Sequence, residues 1–208
     1  MGALAGSLTF TRFFVRGELP KRFRDKFVEN IRLRSFEPLA PESEEEEHVG
    51  WCAVGRVLDL ELDHEKVFYN SYLNLGLRMD RWRVPGALLR AHLAEAEHEA
   101  LAKSGHEKLG KREKAELKAR IITRLRKKLM PSMKLVDMSW NLDSGVVRFF
   151  NQSPRVHEQF MALFEQTFSL ELTADSPYVS AERLGLGEAE LDALSRVEAS
   201  TLGGRKRG

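Results

Sequence analysis

The sequence predicts an α+β fold: a mixed β-sheet core with packed helices and a long αα-hairpin arm projecting from it. Three observations carry that expectation. Short β-rich runs alternate with period two, other segments repeat apolar residues every fourth position, and one central stretch, Val84–Pro131, is helical and heavily charged. The expected organisation is a core domain from 1–83 and 132–177, a basic hairpin at 84–131, and a 178–208 region combining an acidic short helix with a basic flexible tail.

Leu8–Val15 is β-rich, with Leu8, Phe10 and Phe14 expected on one side. Pro20 is expected to open a helix, in which Phe23, Phe27 and Ile31 step by four with Val28 beside them. Phe36–His48 holds two prolines and the run Glu44–Glu47, which reads as a solvated acidic loop. Strand-like sequence restarts at His48. Leu58–Glu65 alternates leucines with Asp59, Glu61, Asp63 and Glu65, as a strand with one carboxylate face would. Val67–Trp82 continues as strand, with a turn expected at Asn70 or Asn74.

The central stretch begins at Pro85, which suits a first helical turn. Leu88, Leu89, His92, Leu93 and Ala96 follow at helical spacing until Ser104-Gly105 breaks the run. In the second helix Leu117, Ile121, Leu125 and Leu129 form a narrow apolar stripe, and Pro131 ends it. Two helices across a short break make an antiparallel αα-hairpin. Beyond it, Leu135–Trp140 and Val146–Phe150 flank Asp143-Ser144-Gly145 as a β-hairpin. Ser153-Pro154 then starts a helix carrying Val156, Phe160, Leu163, Phe164 and Phe168, and Leu170–Thr173 suits a last strand.

The 208 residues suffice for one domain with a real core, and their formal net charge of +2 conceals strong segregation. Residues 12–34 carry eight basic and three acidic side chains, whereas 37–65 carry ten acidic ones against a single Arg. From Lys103 to Lys128 eleven Lys or Arg face three Glu, a balance of +8. Arg120, Arg124 and Lys127 lie a turn apart, flanked by Arg126 and Lys128, with Lys111, Lys114 and Lys118 upstream. One-signed charge over such a length matches the phosphate backbone of nucleic acid, each neutralised phosphate releasing a counterion. These eight residues are the candidate DNA-binding set.

Cys52 is the only cysteine, so an intramolecular disulfide and a multi-cysteine zinc site are excluded. MGALAGSLTF lacks a basic n-region and a long apolar core, and no run reaches bilayer length, so a soluble, cytoplasmic protein without membrane contact is expected. No P-loop, GxGxxG, GxSxG or HExxH occurs, and the six histidines are scattered. No nucleophile is paired with a base, no cofactor is implied, and the expectation is a protein that is not an enzyme. The strongest enzymatic hint is the carboxylate face, where Asp59, Glu61 and Asp63 could hold Mg²⁺ for a nuclease.

Taken together, the chain resembles the RdgC family of bacterial recombination-associated proteins. The resemblance rests on Gly50-Trp51, on a strand closing at Arg83-Val84-Pro85 before a charged helix pair, and on Leu129-Met130-Pro131 ending that pair. It continues in Ser139-Trp140-Asn141-Leu142-Asp143-Ser144-Gly145-Val146-Val147, the helix Pro154–Phe168 and the exit Leu172–Pro177. What it implies is a non-enzymatic protein that binds double-stranded DNA with little sequence preference, forms a ring-shaped homodimer and restrains a RecA-type recombinase. The family's helix-pair end matches Met130-Pro131, but its aromatic tip position falls on Lys134 here. The chain is shorter than typical members, so an open dimer or half-ring is an expectation beside the closed ring. Two readings compete with DNA binding: the metal-dependent nuclease, and a protein-interaction module in which the hairpin and the acidic loop pair with each other or with a partner.

Overall fold

The computed structural model describes residues 9–104 and 108–197. Seven strands among the described residues form one sheet, with β1 at Thr11–Arg16, β2 at Glu47–Cys52, β3 at Phe68–Tyr69, β4 at Tyr72–Arg81, β5 at Ser132–Asn141, β6 at Val146–Phe149 and β7 at Glu171–Ala174. Their order is β2-β4-β5-β6-β1-β7, with β3 paired to β4 as well. The ladders are antiparallel, and one isolated parallel bridge joins Ser35 to Trp51.

Register explains the core. Trp51 pairs with Leu77, Leu77 with Val136, Leu75 with Met138, Met138 with Phe149, and Val147 with Phe13, so one sheet face is almost wholly apolar. Two helices cover it, α1 at Phe23–Leu33 and α5 at Pro154–Phe168. Phe27 stacks on Trp140 at 5.8 Å between ring centroids, and Phe160 stacks on Phe149 at 4.0 Å. Such aromatic pairs bury large areas and add directional contacts beyond area alone.

Several expectations need correction in detail. In β1 it is Phe13, fully buried, that faces this core, while Phe14 lies on the opposite face under the Arg183 guanidinium. Pro20 does not open α1. The helix starts at Phe23, after Arg22 takes a left-handed conformation at φ 56°. Ser153 occupies the cap position of α5 without a side-chain cap bond, and its carbonyl instead accepts the N–H groups of Val156 and His157. The turn falls at Asn70, with φ 52°, and Gly145 takes the positive φ expected of the β5–β6 turn.

The Leu58–Glu65 strand does not form. Leu58 is exposed and Leu62 is buried, so the leucines share no face. Arg32 Nε donates to the Leu62 carbonyl at 2.6 Å, and Asp63 caps the single-turn helix α2 at His64–Val67 by accepting Lys66 N–H at 2.9 Å. The segment is a loop that wraps the end of α1.

The helical hairpin is inserted in the chain between β4 and β5, which pair directly in the sheet. Helices α3, Gly86–Ser104, and α4, Lys111–Arg126, connect β4 to β5, whose last pair is Arg81 with Ser132. Gly105, half of the expected break, and His106 lie outside the described residues. Leu117, Ile121 and Leu125 are buried against Val84, Leu89, Leu93 and Ala96 in a small core that shares no residue with the core under the sheet. Lys134 is not at a tip. It pairs with Met79 inside β5.

Past β7 the chain forms α6, Pro177–Arg183, and α7, Glu188–Ser195. The first packs on the sheet's other face, where Arg183 lies 4.2 Å from the Phe14 ring centroid and donates to the Ser144 carbonyl. The basic tail at 204–208 lies outside the described residues.

Candidate nucleic-acid interface

The stripe Leu117–Ile121–Leu125 turns inward, so an α-helix advancing about 100° per residue must place its charges on the two flanks. Lys118 and Arg126 fall on one flank with Ile122. Arg120, Arg124 and Lys127 fall on the other. Lys111, Lys114, Lys118, Arg120, Arg124, Lys127 and Lys128 are exposed, in agreement with a charged outer surface.

Ion pairs sort these residues further. Lys114 reaches Glu97 of α3 at 3.5 Å, and Lys127 reaches Glu42 of the acidic loop at 2.7 Å. Arg124 Nη2 lies 3.4 Å from His92 Nδ1, a contact without a carboxylate. Among the described residues, no carboxylate comes within ion-pair distance of Lys111, Lys118, Arg120, Arg124 or Lys128. Of the eight expected DNA-binding residues, those five keep their charge without a carboxylate partner. Glu113 is occupied at the start of α4, where its carboxylate accepts the Gly110 N–H at 2.8 Å.

Arg126 departs from the expected role. It is only 7 % exposed, its Nη1 donates to the Ser43 carbonyl at 2.8 Å, and its guanidinium lies 5.7 Å from the Trp82 ring centroid. It anchors the acidic loop and the hairpin root, so it cannot also present a charge to a duplex surface. Charge counting missed this because it registers neither the flank of α4 on which Arg126 lies nor the Trp82 ring and Ser43 carbonyl that hold it there.

The carboxylates proposed for a metal are dispersed. Asp59 Oδ1 accepts from Lys66 Nζ at 2.9 Å, which holds its carboxyl below the ordinary range, and Asp63 is spent on the α2 cap. Glu61 is exposed. Among the described residues no three His, Cys, Asp or Glu converge as a metal site.

One buried ion pair organises the sheet's second face. Arg78 grips Asp80 two residues along β4, with Nε–Oδ1 at 3.0 Å and Nη2–Oδ2 at 2.7 Å, and its guanidinium covers Phe36 at 4.0 Å. Cys52 lies nearby, its thiol pushed up to about 12 mainly by burial and then by the Asp137 charge. A thiol so raised is a poor nucleophile.

No family model and no curated protein matches the sequence. Among the described residues, no helix is long and apolar enough to cross a membrane.

Proposed function

We propose that this chain is a non-enzymatic, sequence-independent double-stranded DNA-binding protein that restrains RecA-type recombination, as its resemblance to the RdgC family implies. The observation that carries the reading is the set of five cations without a carboxylate partner, Lys111, Lys118, Arg120 and Arg124 on α4 and Lys128 just past its end, on a helix that its own apolar stripe fixes in orientation. Contacts from Lys and Arg to phosphates position a duplex without reading its sequence, which would account for binding without sequence preference. A homodimer would present two such arms to one duplex, and nucleoid association follows from the same charge.

Fluorescence anisotropy of a labelled random-sequence duplex, measured at two salt concentrations, tests it. Five phosphate contacts give a log–log salt slope near −4.5, so affinity falls on the order of 10²- to 10³-fold between about 50 and 200 mM salt. Affinity that stays flat with salt, or no binding at the lower concentration, overturns the reading.

A further inference from the structure

A cavity of about 520 Å³ lies on the sheet face turned away from α1 and α5, beside the loop that carries α2 and β3. Register builds its floor. Asn74 pairs with Ser139 and Ser139 with Arg148, so the three stand in one row across β4, β5 and β6. Their neighbours Leu73, Trp140 and Val147 belong to the core, and alternation turns the row outward. All three side chains are partly exposed and thus open to a ligand. Among the described residues none of them makes a side-chain hydrogen bond or an ion pair.

The walls are aromatic and already fixed. Phe68 and Tyr69 form β3, held to β4 through Leu73 and Tyr72. The Phe68 ring stacks on His64 at 5.8 Å between centroids, and the Arg24 guanidinium lies 5.0 Å from it while donating to the Asn70 carbonyl. Phe150, two residues beyond Arg148, supplies the wall at the β6 end, with Phe10 edge-on to it at 5.9 Å. The Arg148 guanidinium lies 6.0 Å from the Phe10 centroid, which braces it at that end of the row.

Charge selects the ligand. Lys66 also lines the cavity, but its Nζ is taken by Asp59 at 2.9 Å and by the Glu61 carbonyl at 2.8 Å. Glu65 adds one negative charge at the exposed rim. Arg148 is therefore the lining cation without a carboxylate, which suits a monoanion better than a dianion beside Glu65. A guanidinium fork matches a carboxylate through two parallel hydrogen bonds, and Ser139 offers a hydroxyl donor one strand away. Aromatic walls favour a flat body, and two interstrand steps, about 10 Å, give it room between Arg148 and Asn74.

We propose that this cavity binds a planar aromatic monocarboxylate, with the carboxylate on Arg148 and Ser139 and the rings against Phe68, Tyr69 and Phe150. Its volume falls within the range of small-molecule sites. The site shares no residue with the helical arm and does not rest on the arm binding DNA.

The probe is 2-naphthoate, titrated into the full chain at constant ionic strength and followed in ¹H–¹⁵N spectra. Arg148→Gln assigns the Arg148 Nε–H signal by its disappearance. That signal and the Ser139 backbone amide are expected to shift saturably. The neutral isostere 2-naphthamide, and octanoate, which keeps the charge without the rings, should each bind about tenfold or more weakly. Arg148→Gln should keep the fold and weaken 2-naphthoate by a similar factor in calorimetry. Tyr69→Ala, at a wall residue that is 72 % exposed, should weaken it severalfold and serves as the test should Arg148→Gln alter the fold. Signals indifferent to 2-naphthoate, an equal response to 2-naphthamide, or unchanged affinity in these variants overturns the proposal.

Reversing charge at Arg120 and Arg124 should abolish duplex binding and leave the 2-naphthoate titration unchanged. A chain that binds 2-naphthoate but no duplex overturns the DNA-binding reading alone. A single-stranded oligonucleotide that moves the Arg148 signal where 2-naphthoate does not would assign this face to nucleic acid and overturn the present proposal.

Discussion

Lys127 extends its Nζ to within 2.7 Å of Glu42 Oε1, joining the most basic stretch of the chain to its most acidic one. That hydrogen bond is the largest cause holding the Glu42 carboxyl below the ordinary range. Both side chains are more than half exposed, so the contact is weak in water. Its effect is to occupy one cation of the arm.

Glu42→Gln should therefore tighten duplex binding about two- to fivefold at low salt and leave stability nearly unchanged. The sign with pH is the same. A carboxyl depressed in the folded state keeps its contact above the ordinary carboxylate range and loses it as pH falls through the lowered value. Anisotropy of the variant against the parent checks it; weaker binding would show that Glu42 orients Lys127 instead of competing for it.

Arg120 and Arg124 should matter for DNA and hardly at all for folding. Replacing both with Glu is expected to cost on the order of 10²-fold in duplex affinity at low salt and to reduce the salt slope by about 2. The melting temperature should stay within a few degrees. Arg126→Gln should behave oppositely, costing about 1–3 kcal/mol of stability by unpinning the acidic loop.

Asp80→Ala removes one partner of the bidentate Arg78 pair, whose side chains are 8 % and 3 % exposed. The loss leaves a guanidinium buried beneath Phe36 without its counter-charge, and should cost about 3–5 kcal/mol in urea denaturation. A volume-matched apolar replacement of both residues should be far milder. Equal losses in the two cases would mean that packing, not charge, sets the cost.

Cys52 should resist thiol reagents at pH 8 until the protein unfolds, its Sγ being buried and bonded to the Gly76 carbonyl at 3.4 Å. Because its folded pKa is raised to about 12, the unfolded chain loses this proton first. The thiol's contribution to stability is complete below the unfolded value of about 8.5 and declines as pH rises towards the folded one. Cys52→Ala should lose that part of the alkaline slope. Rapid labelling of the native protein would contradict the burial.

The elements most legible in sequence were those with strong periodicity. The hairpin had a four-residue apolar step through Leu117, Ile121 and Leu125, although α4 ends at Arg126, before Leu129 and before the expected stop at Pro131. Asn70 and Gly145 likewise marked turns because their backbone conformations narrow the choice of residue. Leu58–Glu65 misled because perfect alternation says only that a strand would be amphipathic. No neighbouring strand takes up its backbone, and Asp63 found a cap instead. In β1, Phe10, Phe13 and Phe14 offered two apolar faces, and only the register with Val147 decided between them.

The placement of the arm between β4 and β5 also constrains the order of folding. Their ladder runs from Tyr72–Asn141 to Arg81–Ser132, and about 50 residues separate its ends at the hairpin side. Closing so long a loop costs roughly 2 kcal/mol more than closing a four-residue turn, unless the intervening chain has already doubled back on itself. Helices form within about a microsecond and can bring those ends together before the strands meet. The arm is then the nucleus that zips the middle of the sheet. Ile121→Ala should slow refolding more than it accelerates unfolding, although Ile121 touches no part of the core beneath the sheet.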